Sequence, residues 1–138
     1  SYEIYCKTLK PIKKISTKEF PGYPTDLQAQ LIATQLKSGL KSKVVENIFE
    51  NRFIHIPELR RFGANLSIKG NTVTIDKTSN LLGAEVMATD IRASFSLIIA
   101  AMMSKGKTVI NRIYHLDRGY EDFDLKLKKC GVNISRKK

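Results

Sequence analysis

Two cysteines, Cys6 and Cys130, are all that the sequence holds, and neither has a CxxC partner or a metal-like spacing with His55 or His115. So sparse a set excludes a disulfide framework, suits a reducing compartment and offers no ligand set for a metal. Also missing is any apolar run near the roughly 20 residues that span a bilayer. The opening Ser1-Tyr2-Glu3-Ile4-Tyr5 lacks the charged-then-apolar order of a signal peptide. The expected location is therefore cytoplasmic, with no membrane partner. Acidic residues are scarce too: 13 Asp and Glu stand against 24 Lys and Arg, a net charge of +11. What this excess lacks is a focus. Residues 1–70 carry 12 basic and 6 acidic side chains, and residues 71–138 carry 12 and 7. Nucleic-acid binders concentrate charge on one helix or stripe and interleave aromatics where they stack single strands. A nucleic-acid partner is thus not expected, and a non-catalytic anion- or nucleic-acid-binding module remains a rival resting on charge alone.

What is present is an ordinary globular composition, 138 residues with 42% hydrophobic and 27% charged. A chain of that length buries roughly two-thirds of its unfolded surface, enough for a core without staples. The first residue is not methionine, and the sequence opens inside a structured stretch, so residues 1–138 are expected to be part of a longer chain.

Self-similarity organises the sequence. Pro24-Thr25-Asp26-Leu27-Gln28-Ala29 aligns with Ala88-Thr89-Asp90-Ile91-Arg92-Ala93, and Leu59 to Ser67 aligns with Leu127 to Ser135. Two related units follow, at about 11–77 and 84–137. In each, Thr-Asp caps a helix (about 27–37, then 91–103) that stops at Gly39 or at Lys105-Gly106. A β-branched strand comes next, near 43–48 and 108–113. Pro57 suits the first turn of the second helix of unit one, and Gly63 and Gly131 close the second helices. Residues 64–69 and 71–76 form a hairpin turned at Gly70-Asn71. The unit is strand, helix, strand, helix, strand, strand. The second copy stops after a fifth element, a strand ending near Arg136, which leaves an open edge.

Asp26 and Asp90 stand at equivalent helix starts. Either is a good cap, but Thr25 and Thr89 could cap instead and free the carboxylates. Arg92 places a cation in the first turn of a helix, against the helix dipole, which a bound anion would reverse. Arg118, in Asp117-Arg118-Gly119-Tyr120-Glu121, repeats the situation beside a glycine that admits a ligand to the backbone, and Arg52 holds the matching turn of unit one. Surface ion pairs are the alternative for all three. Gly106-Lys107-Thr108 is a helix stop and not a phosphate loop, because Ala101 stands where that loop needs glycine. Met87, Met102 and Met103 read as core or near-core, Cys130 as a packing residue equivalent to Phe62, and His55 and His115 as residues with local hydrogen bonds.

The runs Pro24-Thr25-Asp26-Leu27-Gln28-Ala29-Gln30, Ile48-Phe49-Glu50-Asn51-Arg52-Phe53, Ala88-Thr89-Asp90-Ile91-Arg92-Ala93-Ser94 and Tyr114-His115-Leu116-Asp117-Arg118-Gly119-Tyr120-Glu121 closely resemble the UDP-N-acetylglucosamine 1-carboxyvinyltransferase family, from about Gly22 to Arg136. The resemblance implies an α/β fold, part of the inside-out α/β barrel of enolpyruvyl transferases, with two of its repeated βαβαββ units here and the second incomplete. It implies transfer of the enolpyruvyl group of phosphoenolpyruvate to the 3′-hydroxyl of UDP-N-acetylglucosamine with release of phosphate, for peptidoglycan synthesis, with no cofactor and no metal. By the same resemblance Asp26 contacts the sugar hydroxyl as candidate base, and Asp90 lies beside the reacting carbon. Arg52, Arg92 and Arg118 serve phosphoenolpyruvate, and Ile48 binds the UDP-sugar through its backbone. The family's loop cysteine and its Lys-Asn pair have no counterpart here. The remainder of the enzyme is therefore an expected partner, and the chain alone is expected to be inactive. The sister enzyme acting on shikimate 3-phosphate is the nearest rival, disfavoured by the Glu-Asn-Arg-Phe and Asp-Arg-Gly-Tyr-Glu runs.

Overall fold

A computed structural model describes residues 10–137. The chain runs through β1 (Lys14–Ser16), a 3-10 turn (Thr25–Leu27), α1 (Gln28–Gln35), β2 (Ser42–Val45), α2 (Ile56–Arg61), β3 (Leu66–Lys69) and β4 (Thr72–Ile75). It continues through β5 (Glu85–Met87), α3 (Ile91–Met103), β6 (Val109–Asn111), α4 (Tyr114–Asp117) and α5 (Phe123–Lys129). This is an α/β arrangement with one four-stranded sheet, ordered β1-β2-β4-β3, and one two-stranded sheet, β5-β6.

Alternation decides the first sheet. Val44 of β2 pairs with Val73 of β4, and Val73 pairs with Ile68 of β3, so every second β4 side chain, Val73 and Ile75, points into the core. The β3–β4 connection is the expected hairpin, with positive φ at Gly70. β1 joins β2 in parallel, and β5 joins β6 in parallel across α3, as strand–helix–strand crossovers require. Gly63 and Gly131, at φ +83° and +88°, end α2 and α5 in the left-handed conformation that glycine tolerates best.

One large buried cluster spans the first sheet, α1, α2 and α3, and a smaller one of Ile98, Leu116 and Phe123 lies under α4 and α5. Ile32 and Leu36 from the α1 segment, Leu59 and Phe62 from the α2 segment, Val73 and Ile75 from β4 and Leu97 from α3 form one buried cluster. α1 packs directly on α3. That contact brings the start of each helix, and with it Asp26 and Asp90, to the same end of the molecule.

Several sequence expectations need correction. Residues 132–136 form no strand, because no segment among the described residues pairs with them and a ladder needs a partner for its backbone groups. The segment is held by side chains instead. Arg136 lies on Asp117 (Nη1–Oδ2 3.0 Å) and Asp124 (Nη2–Oδ1 3.1 Å), with its guanidinium over Phe123. β6 is shorter than expected because Arg112 takes φ +58°, which ends the extended run, and α4 follows where only an approach to the last helix was expected. Cys130 is exposed, unlike Phe62. Nothing described covers its side of α5, so sequence equivalence did not bring equal burial. Met87 and Met102 are also largely exposed, on β5 of the two-stranded sheet and on the outer side of the last turn of α3, while Met103 packs on the core. Cys6 lies outside the described residues.

Candidate active site

Two short segments that start alike end differently. Asp90 is the N-cap of α3, and its Oδ1 accepts hydrogen bonds from Arg92 N at 2.9 Å and Ala93 N at 3.0 Å. Thr89 is not needed as a cap. Asp26 caps nothing. It lies inside the 3-10 turn with its side chain 68% exposed, and its Oδ1 accepts from Arg52 Nη1 at 3.1 Å and from Arg92 Nη1 at 2.9 Å. Hydrogen bonds from Arg52 and then Arg92 hold its carboxyl below the usual carboxylate range, so it is fully ionised at neutral pH.

Arg92 opposes the α3 dipole, as read from the sequence, and the structure supplies what offsets it. Two carboxylates flank the guanidinium: Asp26 at 2.9 Å and Asp90, whose Oδ1 is 3.9 Å from Nε. Arg52 is aimed from the other side. It sits in a tight turn in which Asn51 takes φ +56°, a left-handed conformation that Asn tolerates, and its guanidinium stacks on the Phe49 ring with Cζ 4.2 Å from the centroid.

Glu46 ties these pieces together, and sequence reasoning missed it. It follows β2, is 3% exposed, and accepts from the hydroxyls of Thr17 and Thr25 and from the backbone N–H groups of Ile48 and Phe49. Burial pushes its carboxyl up, but the four donors outweigh that and hold it below its ordinary value. An acid closing a Val-Val-Glu strand is the one signal that could have pointed to it.

Asp26, Arg52, Arg92 and Asp90 thus converge, and all but Asp26 line a cleft of about 210 Å³. Gln28 and His55 also line it. Each is almost fully buried, at 1% and 2%, with a side-chain nitrogen that finds no partner among the described residues. His55 was expected to satisfy a local hydrogen bond, and its Nε2 does not. Burial first, opposed by the charge of Asp90, pushes its imidazole down to about 4, so it is neutral.

Two expected site residues stand apart. Arg118 is exposed just beyond α4 and does not line the cleft, although its neighbour Gly119 lies hard against the side chain of Ile91, the first residue of α3. The space a Cβ would take at Gly119 is filled by the Ile91 side chain. The Ile48 N–H is taken by Glu46 at 2.9 Å, which leaves the carbonyl as the backbone group it can offer. A larger cavity, about 950 Å³, lies between the end of α3, β6 and residues 131–137 and contains none of the expected site residues. The described residues hold no cluster of three or more His, Cys, Asp or Glu that could bind a metal, and no helix is long and apolar enough to cross a membrane.

The sequence and the fold that carry this arrangement are similar to those of known proteins. The family model described as EPSP synthase (3-phosphoshikimate 1-carboxyvinyltransferase) matches residues 3–127. The chain belongs to the EPSP synthase family. Within it, the chain is 57% identical over 122 residues to a UDP-N-acetylglucosamine 1-carboxyvinyltransferase of Rhodopseudomonas palustris (strain TIE-1), covering 88% of this chain and 28% of that protein. It is 54% identical over 136 residues to the enzyme of the same name from Pelagibacter ubique (strain HTCC1062), covering 97% and 33%. The crystal structure of the enolpyruvyl transferase NikO from Streptomyces tendae superposes with a TM-score of 0.83 at 28% identity, over 95% of this chain and 30% of that one. The fold is therefore a partial enolpyruvyl transferase fold. The chain spans about a third of the length of these relatives.

Proposed function

We propose that the chain is part of a cytoplasmic enzyme that transfers the enolpyruvyl group of phosphoenolpyruvate to the 3′-hydroxyl of UDP-N-acetylglucosamine, releasing phosphate, as a step of peptidoglycan synthesis. One observation carries the reading: Asp26 is held between Arg52 and Arg92 at the mouth of a cleft lined by Asp90. The names of the relatives favour the UDP-sugar over shikimate 3-phosphate as acceptor, although the matching family model is named for the latter.

The chemistry needs a base at the acceptor hydroxyl, proton exchange at the methylene carbon of phosphoenolpyruvate, and cations for its carboxylate and phosphate. Asp26 is the base and Asp90 the carboxylate at the reacting carbon. Arg92 and Arg52, joined by Arg118 from the α4 side, receive the anions. The pairing makes Asp26 a poor base until substrate arrives. When the anionic groups of phosphoenolpyruvate take over the arginines, Asp26 loses the donors that depress its proton affinity and becomes able to accept the hydroxyl proton. The carbonyl of Ile48 is the backbone group that holds the UDP-sugar. Residues 11–77 and 84–137 are the two repeat units of this part of the enzyme, and the remainder of the enzyme supplies the loop nucleophile.

Phosphate release from phosphoenolpyruvate and UDP-N-acetylglucosamine tests the reading. A complete protein should release phosphate and this chain alone should not. Preference for shikimate 3-phosphate, or turnover by the isolated chain, would overturn the corresponding part.

A further inference from the structure

The buried carboxylate of Glu46 touches three segments of the chain. Its Oε2 accepts from Thr25 Oγ1 at 2.8 Å, one residue before Asp26. Its Oε1 accepts from Ile48 N at 2.9 Å and Phe49 N at 3.2 Å, at the start of the turn that carries Arg52, and from Thr17 Oγ1 at 2.8 Å beyond β1. No Lys or Arg nitrogen lies within 4.0 Å of it among the described residues. An uncharged core would avoid the desolvation cost of such a group, and only several well-aimed donors make it tolerable. A neutral amide could keep the contacts of Oε1 and, by reversing one bond, donate to the Thr25 hydroxyl, so only removal of the side chain frees both arms.

We propose that Glu46 is a positioning residue for the transfer reaction: one carboxylate sets the Asp26 turn with one oxygen and the Arg52 turn with the other, and so fixes the distance between base and cation. This rests on the enolpyruvyl transferase reading. The two arms are separable. Loosening the Thr25 arm displaces Asp26 alone and acts on kcat, because a misplaced base slows chemistry. Loosening both arms displaces Arg52 as well and also acts on the KM for phosphoenolpyruvate.

The experiment uses a complete protein carrying Thr25→Val, Glu46→Ala or, as a control, Ser42→Ala. The control removes a buried hydroxyl from the far end of β2, where it faces Gln35 and not the site. Thr25→Val should lower kcat about tenfold with the KM for phosphoenolpyruvate nearly unchanged. Glu46→Ala should lower kcat and raise that KM, and Ser42→Ala should lose thermal stability as Thr25→Val does while keeping wild-type kcat. In parallel, carbon NMR titration of the Asp26 carboxyl should show its proton affinity moving upward in Thr25→Val and staying put in Ser42→Ala. Wild-type kcat in Thr25→Val, or equal loss of kcat in Ser42→Ala, would overturn the proposal. The titration judges the Glu46 device even if the wild-type protein transfers no enolpyruvyl group, an outcome that would sink the enzyme reading instead.

Discussion

At the scale of single residues, Asp26 and Asp90 show how one motif yields two roles. Both follow threonine at a helix start, yet only Asp90 has two backbone N–H groups in reach, while Asp26 lies inside a 3-10 turn that begins at Thr25, with arginines as its partners. Arg92 belongs to both, and it is the residue whose position the sequence alone made suspicious. Arg92→Ala in a complete protein should raise the KM for phosphoenolpyruvate at least tenfold, in keeping with loss of a charge-assisted contact. Lys37→Ala, an exposed change of the same sign beyond α1, should leave it within about twofold. Steady-state kinetics check both, and equal effects would assign the result to net charge and not to the site. Glu46, Gln28 and His55 were not legible as site residues, because burial and hydrogen-bond partners come from distant segments and leave no local periodicity.

At the scale of elements, α3 is where local sequence rules held best. Its apolar spacing, its Asp cap and its stop before Gly106 at φ +89° all agree with the observed span Ile91–Met103. The cap also gives a way to separate stability from chemistry. Asp90→Ala leaves two helix N–H groups without an acceptor and should cost about 1–2 kcal/mol, whereas Asp90→Asn keeps a capping oxygen and should cost less. Both should abolish most transfer. Urea unfolding together with the transfer rate checks this, and full activity in Asp90→Asn would reduce Asp90 to a cap. Local rules failed for residues 132–136, where a β-like composition met no partner strand, and for Cys130, where the repeat suggested a burial that α5 does not provide.

At the scale of the whole molecule, the closed core makes His55 a sensor of acid. Its imidazole is pushed down to about 4 when folded and has its ordinary value near 6.5 when unfolded. Between these values the unfolded chain binds a proton that the folded chain refuses, so stability is intact above about pH 6.5 and falls as pH drops toward 4. Between about pH 7 and about pH 5 the loss should be about 2 kcal/mol in urea titrations. His55→Phe should flatten that slope, and an unchanged slope in the variant would refute the assignment. Glu46 and Asp26, whose carboxyls lie below their ordinary values, add to acid loss only below about pH 4.5. The two effects therefore overlap only near pH 4 to 4.5.

The sequence by itself displayed the repeated pattern, and it determined the helix stops at glycine, the hairpin at Gly70 and the anomaly of a cation opening α3, because each of these three depends on residues within a few positions of one another. Only the tertiary structure decided which aspartate caps and which is free, that Arg92 reaches Asp26 across 66 positions, and that Glu46 joins β2 to both site turns. Those facts follow from α1 packing on α3 and from β1 pairing with β2. Such packing is set by the shape of the buried surface as a whole, which no local stretch of sequence contains.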